Sequence, residues 1–319
     1  MNRRSFLHQS AVAVTGVATA ILTRQIAAAK PASRIVDTHT HFYDPSRKEG
    51  VPWPGKGTPL FRTVLPQDWL AVGGPLGVKE TIVVEASKWL EDNAWILDLA
   101  AKEPSIIGFV GNLTLHETDF AKHVKRFAAN PIFRGIRANM NDVLKNADSP
   151  ELRSGLKTLI DAGLELDLNG GPALHRVAAK LAGEFSELRI VLNHVGSAGD
   201  PGKISKEWRD SIAALGKYPN VYCKISALQE QTEKSGQSYG NASRDAAFYA
   251  PILDHCWNSF GPDRLIYASN WPVCEKGGSY VDQFKIVSDY FSAKGADVCE
   301  KFFWKNASIA YRWVEKGVK

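Results

Sequence analysis

Two histidines one residue apart, His39 and His41, stand where an apolar run breaks off, in Val36-Asp37-Thr38-His39-Thr40-His41. Side chains in extended backbone alternate with a period of two, so both imidazoles face the same way. Two imidazoles on one face at a strand end can share a divalent ion such as zinc. A third histidine, His194, follows another apolar run as Val191-Leu192-Asn193-His194. Far along the chain, Leu265-Ile266-Tyr267-Ala268 runs into Ser269-Asn270-Trp271-Pro272. An HxH pair alone is a weak signal, because histidines in loops are commonly just solvated.

The elements that must position these groups follow from the alternation of short apolar runs with amphipathic stretches, the pattern of a parallel sheet with helical crossovers. Strands are expected at 34–37, 80–85, 106–112, 133–138, 164–168, 189–192, 221–225 and 265–268. Helical patterns lie between and after them, at 93–103, 117–129, 149–162, 171–184, 206–215, 246–260 and 281–294. Eight strand–helix units without an internal break in composition predict a single α/β domain, a (β/α)8 TIM barrel over residues 34–316. No Gly-x-Gly-x-x-Gly opens a helix after the first strand, which removes the main support for a dinucleotide fold.

In such a barrel the active site sits at the C-terminal ends of the strands, and polar residues follow all eight. They are Asp37, His39 and His41; Glu85; Asn112; Arg137; Asp167 and Asn169; Asn193 and His194; Lys224, Ser226 and Glu230; Ser269 and Asn270. Of the two arginines in the fourth strand, Arg134 begins it and belongs at the far end, which leaves Arg137 for the site. Residues 42–68, rich in proline and glycine, read as a loop over this face with Trp53, Phe61 and Arg62 able to reach a substrate. The polar stretch 229–245 reads either as a mobile flap or as a plain loop.

The HxH pair, together with a last strand ending in Ser-Asn-Trp-Pro, resembles the amidohydrolase-related (amidohydrolase 2) TIM-barrel family. The branch it is most similar to is that of the sugar-lactone hydrolases, of the fuconolactonase and pyrone-dicarboxylate lactonase kind. The resemblance covers about residues 34–313. It implies a metal-assisted hydrolase that opens a sugar lactone or similar cyclic ester. It implies a divalent ion, zinc first, with His39, His41 and His194 as ligand candidates. In that family the last strand ends Ser-Asp-Trp-Pro, and the aspartate takes a proton from the attacking water. Here Asn270 stands in its place, and an amide cannot act as a general base near neutral pH. Glu85, Glu230 and His194 are then the candidate bases. Arg137 or Lys224 would receive the oxyanion. Lys224-Ile225-Ser226 matches the family's Lys-Leu-Ser, and Trp53, Arg62, Asn112, Asn169, Ser226 and Glu230 are expected to contact the substrate. Two other readings stay open: a non-oxidative decarboxylase of the same superfamily, and a catalytically weak barrel that only binds a ligand.

Residues 1–29 read as a twin-arginine export signal: Arg3-Arg4-Ser5-Phe6-Leu7, an apolar run from Ala11 to Leu22, and small residues before position 30. That run is shorter than the ~20 residues that span a bilayer. An exported, periplasmic protein handled by the twin-arginine machinery is expected, with no stable membrane span. The formal charge is +5, but the signal carries three arginines and no acid, leaving 36 basic and 34 acidic residues. A nearly neutral chain without a basic stripe excludes a nucleic-acid partner and points to a small-molecule substrate. Cys223, Cys256, Cys274 and Cys299 show no CxxC spacing. They are expected as buried thiols, with Cys223–Cys274 the one pairing open to oxidation.

Overall fold

A computed structural model of the protein describes residues 32–232 and 240–315. The twin-arginine stretch at 1–29 and the middle of the 229–245 segment lie outside the described residues.

Eight parallel strands lie side by side in chain order. They are β1 (Val36–Thr40), β2 (Glu80–Val84), β3 (Ile106–Gly111), β4 (Phe133–Ala138), β5 (Glu165–Leu168), β6 (Ile190–Leu192), β7 (Val221–Ile225) and β8 (Leu265–Tyr267). The sheet closes on itself past the end of β8. Asn270 N donates to His39 O (2.8 Å), His41 N donates to Trp271 O (2.8 Å), and Thr40 bridges Trp271 in parallel. Closure therefore pins the first histidine pair directly against the Ser-Asn-Trp-Pro segment.

The strands are dense in valine, isoleucine and leucine because both faces are buried. One set of alternate residues, among them Val83, Phe133, Leu166, Ile190, Val221 and Leu265, packs outward against the helices. The other set, with Val36, Ile82, Val191 and Ile266, packs in a separate interior cluster. The same alternation places Arg137, Asp167, Lys224 and Asn193 on the inward side, since each adjoins an outward-packing residue in its strand or at its end. The helices are α1 (Pro66–Gly73), α2 (Asp92–Lys102), α3 (Phe120–Ala128), α4 (Met140–Asn146), α5 (Pro150–Asp161), α6 (Pro172–Glu184), α7 (Lys206–Leu215), α8 (Ala246–Phe260), α9 (Tyr280–Ser292), α10 (Ala296–Glu300) and α11 (Asn306–Tyr311). Side-chain oxygens cap several of them: Ser149 takes Leu152 N, Ser205 takes Trp208 N, and Ser279 takes Asp282 N.

β1 begins two residues later than expected and runs through both Thr38 and His39. The loop after it ends earlier than expected, at α1, and is fastened by an antiparallel bridge between Tyr43 and Val64. At the opposite mouth, Ala307, Ala310, Tyr311 and Trp313 of the C-terminal segment fill the barrel. Arg189 holds that segment by donating to Ala310 O, and Arg134 donates to Arg312 O, which confirms Arg134 at the far end. Among the described residues no helix is long and apolar enough to cross a membrane. All four cysteines are free and buried. Cys223 has Cys256 of α8, not Cys274, as its thiol neighbour.

Candidate active site

A cavity of about 270 Å³ opens at the C-terminal ends of the strands, lined by His41, Trp53, Ala86, Arg137, Asn169, His194, Asn270 and Val273. Its size suits one small molecule, below the roughly 300–1,000 Å³ typical of drug-sized ligands. Three imidazoles meet at its floor. The His39 ring centroid is 4.9 Å from that of His41 and 4.4 Å from that of His194. Trp53, carried in by the loop before α1, stands edge-on to His41 at 5.8 Å.

Burial keeps all three rings neutral. His41 is held down to about 3, first by burial and then by the Arg137 charge. His39 and His194 lie well below the ordinary histidine value, by burial and then the Lys224 charge. One ring proton must therefore serve two nitrogens in each. In His41, Nδ1 lies 2.9 Å from Val84 O, a buried acceptor that only an N–H can satisfy, so Nε2 is left with its lone pair. That lone pair faces Asn270 Oδ1 at 3.3 Å. In His194, Nδ1 pairs with Ser226 Oγ at 2.8 Å.

His39 lies deeper and has no exposure. Its Nδ1 is 3.2 Å from Lys224 Nζ, and Lys224 is itself 2.7 Å from Asp167 Oδ2. An ammonium has only hydrogens to give, so Nδ1 accepts and the ring proton sits on Nε2. That Nε2 has no hydrogen-bond partner.

The three histidines expected as metal ligands are thus brought together, but the donor set does not fit a divalent ion as arranged. His39 Nε2 carries its proton, and the Lys224 and Arg137 cations face the rings. Position 270 offers an amide where a carboxylate would supply charge. Among the described residues, no three His, Cys, Asp or Glu side chains converge so as to hold an ion.

Arg137 lines the cavity and is fixed by Glu85: Nε donates to Glu85 Oε1 (2.8 Å) and Nη2 to Glu85 O (2.8 Å). Burial pushes the Glu85 carboxyl up while the Arg137 charge pulls it back. Glu85 therefore serves to hold Arg137, which weakens its standing as a base. Several expected site residues lie outside the lining of this cavity. Lys224 has no exposure and lies beneath His39, locked to Asp167, so it does not reach a substrate. Ser226 is buried on His194 Nδ1, and its hydroxyl orients that ring. Arg62 turns away from the cavity and pairs with Glu275 at 2.8 Å on the surface. Asn112 lines a second, polar cavity beside His116, Asn139 and Asp142, and touches the site only through its bond to Glu85. Asn169 and Trp53 stand where expected. Glu230 does not line the cavity but accepts from Asn270 Nδ2 at 2.8 Å.

Residues behind the cavity complete the frame. Asp37 is fully buried and gathers Ser269 N, His39 N, the Trp69 indole and the Tyr280 hydroxyl, tying β1 to the end of β8. Gln283 of α9 donates to Glu230 Oε2 at 3.3 Å. Trp69 and Tyr280 read as ordinary core aromatics, and nothing in their local sequence marks a polar partner. Asn270 adopts φ +66°, and His194 and Val195 adopt φ +56° and +48°, left-handed backbone that asparagine tolerates best among the three.

Comparison with known proteins gives the family and the fold. The amidohydrolase family model matches residues 36–313. An L-fucono-1,5-lactonase of Burkholderia ambifaria is 28% identical over 250 residues, 77% of this chain and 83% of that protein. A second L-fucono-1,5-lactonase, from Burkholderia multivorans, is 25% identical over 81% of this chain and 89% of its own length. A crystal structure of an amidohydrolase from Burkholderia multivorans with bound zinc superposes with a TM-score of 0.79 at 24% identity. It covers 88% of this chain and all of the other, and that likeness supports the barrel fold.

Proposed function

The chain belongs to the amidohydrolase family and is a hydrolase, and from that premise we propose that it opens the ring of a small lactone derived from a sugar. The observation that carries this reading is the makeup of the cavity: neutral imidazoles and amides around a single fixed guanidinium. None of the described lining residues is a serine or cysteine, so the acyl carbon has water as its nucleophile. The water oxygen bonds to the lactone carbonyl carbon and the ring C–O bond breaks. One proton goes to the departing ring oxygen, and the other is released as the new acid ionises.

Each lining group has a task in that reaction. Arg137, braced by Glu85, offers N–H groups to the carbonyl oxygen as negative charge builds on it, and then to the product carboxylate. Asn169 and His194 supply hydrogen bonds for the sugar hydroxyls. The face of Trp53 covers the C–H side of the ring and excludes water from it. A divalent ion is not assigned a step, because the donor set as arranged does not suit one.

The test is hydrolysis of a panel of five- and six-membered aldonolactones, followed by proton release in a weakly buffered indicator assay. Wild-type protein is expected to open at least one well above the spontaneous rate, and Arg137→Met to lose about 100-fold or more in kcat/KM. No acceleration with any member of the panel would overturn the reading.

A further inference from the structure

The electrostatic problem posed by Asn270 has a local answer. The cavity needs a group that orients water, yet its three histidines are neutral and Glu85 is committed to Arg137. Asn270 has two ends. Nδ2 donates to Glu230 Oε1 at 2.8 Å, and Oδ1 faces His41 Nε2 at 3.3 Å. An ionised carboxylate accepts only, so it decides which end of the amide turns toward it. With Nδ2 taken by Glu230, Oδ1 must point at His41. His41 Nδ1–H is taken by Val84 O, so Nε2 also accepts. Two acceptors then face each other with no hydrogen between them. That arrangement is unfavourable alone and calls for a molecule with two hydrogens to give, which water is.

We propose that Glu230 is the positioning residue of this site: its carboxylate fixes the Asn270 amide so that Asn270 Oδ1 and His41 Nε2 together hold the attacking water by its hydrogens. This rests on the hydrolase reading above. A water held in that way presents its lone pairs to the cavity, where the lactone carbonyl carbon lies. When Glu230 takes up a proton, its O–H donates to Asn270 Oδ1 and the amide turns over. Nδ2 then donates to His41 Nε2, and the notch for water closes on itself. The site is thereby switched by one proton at a residue that does not touch the substrate.

The surroundings of Glu230 support such a switch near neutral pH. The carboxyl is pushed up to about 7 by burial, against hydrogen bonds from its own backbone, Asn270 and Gln283 and the Lys276 charge. Among the described residues, Tyr249 of α8 and Cys274 after β8 also face it. Both are raised first by burial and further by the Glu230 charge, so both stay neutral.

The test combines kinetics with a readout independent of turnover. In wild type, kcat/KM for lactone opening is expected to rise with pH through an apparent pKa near 7. Glu230→Gln is expected to lose that limb and about 100-fold in kcat, with KM little changed, as misoriented reacting groups typically cost. Asn270→Asp alone sets two carboxylates within hydrogen-bond distance, which must share a proton, and moves the limb to higher pH. The swap Glu230→Gln with Asn270→Asp leaves one charge and one amide in reversed places, and is expected to regain most of the loss without a limb near 7. A merely structural Glu230 predicts no such rescue. Separately, the Asn270 side-chain amide signals in a 15N correlation spectrum are expected to titrate near pH 7 in wild type and not in Glu230→Gln. Wild type that opens no lactone refutes the hydrolase reading, and the amide titration then decides this one. An unchanged limb in Glu230→Gln, a swap no better than the single variant, or a flat amide titration overturns the proposal.

Discussion

Replacing Lys224 by methionine isolates the charge at the floor of the barrel. Lys224 and Asp167 are both fully buried, with Nζ 2.7 Å from Oδ2. The second Asp167 oxygen accepts from the Tyr311 hydroxyl at 3.0 Å, and Lys224 also donates to His39 Nδ1 at 3.2 Å. Methionine keeps the length and most of the volume of the side chain and removes the cation. Asp167 then keeps Tyr311 and Glu165 beside it but no cation, and breaking one side of such a buried pair costs roughly 3–5 kcal/mol. At about 2–4 °C per kcal/mol for a domain of this size class, the midpoint of thermal unfolding falls by roughly 10 °C.

The matching double variant carries the sharper result. Asp167→Asn with Lys224→Met removes both charges, and replacing a buried pair outright is often close to neutral. The double variant is therefore expected to be more stable than Lys224→Met, with a coupling energy of about 2–3 kcal/mol in the double-mutant cycle. Circular dichroism during thermal and urea unfolding at pH 7 measures all four proteins. A Lys224→Met protein within about 1 kcal/mol of wild type, or strictly additive losses in the double variant, would refute the assignment of Lys224 to the frame.

Three other outcomes are expected. Gly135→Ala puts a methyl inside the contact distance of the Glu165 carboxyl and 2.7 Å from Glu165 O, so β4 and β5 must part; a loss of about 3 kcal/mol in urea unfolding checks it. Glu165 is buried beside Asp167, and burial, then the Asp167 charge, raises its carboxyl well above the usual value. Its folded form holds a proton that the unfolded chain gives up above pH ~4.5, so wild type loses stability from this group as pH rises; the advantage of Glu165→Gln should grow by up to about 1.4 kcal/mol per unit between pH 5 and 7, and a pH-independent difference would be evidence against it. Exhaustive chelation, followed by added zinc, is expected to change kcat/KM for lactone opening by less than about twofold, whereas a tenfold loss restored by zinc would contradict the reading of the donor set.

The barrel was legible because its strands are continuous apolar runs, and β4 and β7 fall at 133–138 and 221–225 as expected. β1 was not bounded correctly because its polar residues bond within the sheet. Thr38 Oγ1 donates to Tyr267 O at 2.7 Å and Thr40 pairs with the Thr81 hydroxyl at 2.7 Å, so threonines that read as the start of a loop belong to the strand. Helix α1 was hidden by its own start signal: Pro66 opens it, and Asp68 accepts Leu65 N, inside a stretch read as Pro/Gly-rich loop. The strand-end rule pointed to the face where His41, Arg137, Asn169, His194 and Asn270 line one cavity. It does not say which polar residue faces the cavity and which faces another side chain. Lys224, Ser226 and Arg62 lie outside the cavity lining, where Asp167, His194 and Glu275 hold them.

Asn270 shows most clearly what a motif leaves out. As a single position, an amide in place of a carboxylate reads as a lost charge and a weakened site. The physical requirement, however, concerns charge and acceptors around a volume, and a neighbouring strand can supply either. Position 270 must adopt left-handed backbone, which restricts it to residues such as asparagine or aspartate that tolerate it. Position 230 lies after β7, the neighbour of β8, and is free of that restriction. A carboxylate at 230 with an amide at 270 therefore gives the same count of one charge and one amide as the reverse arrangement. The two differ in which group borders the cavity. With the amide facing in, the negative charge lies one hydrogen bond farther from the carbonyl. An acceptor without full charge then orients the water while repelling an incoming anionic product less. On that argument a chain with Asn270 and Glu230 should hold its carboxylate product more tightly than the reversed pair does. A comparison of product inhibition constants between wild type and the Glu230→Gln, Asn270→Asp swap tests it, and tighter product binding by the swap would show the argument to be wrong.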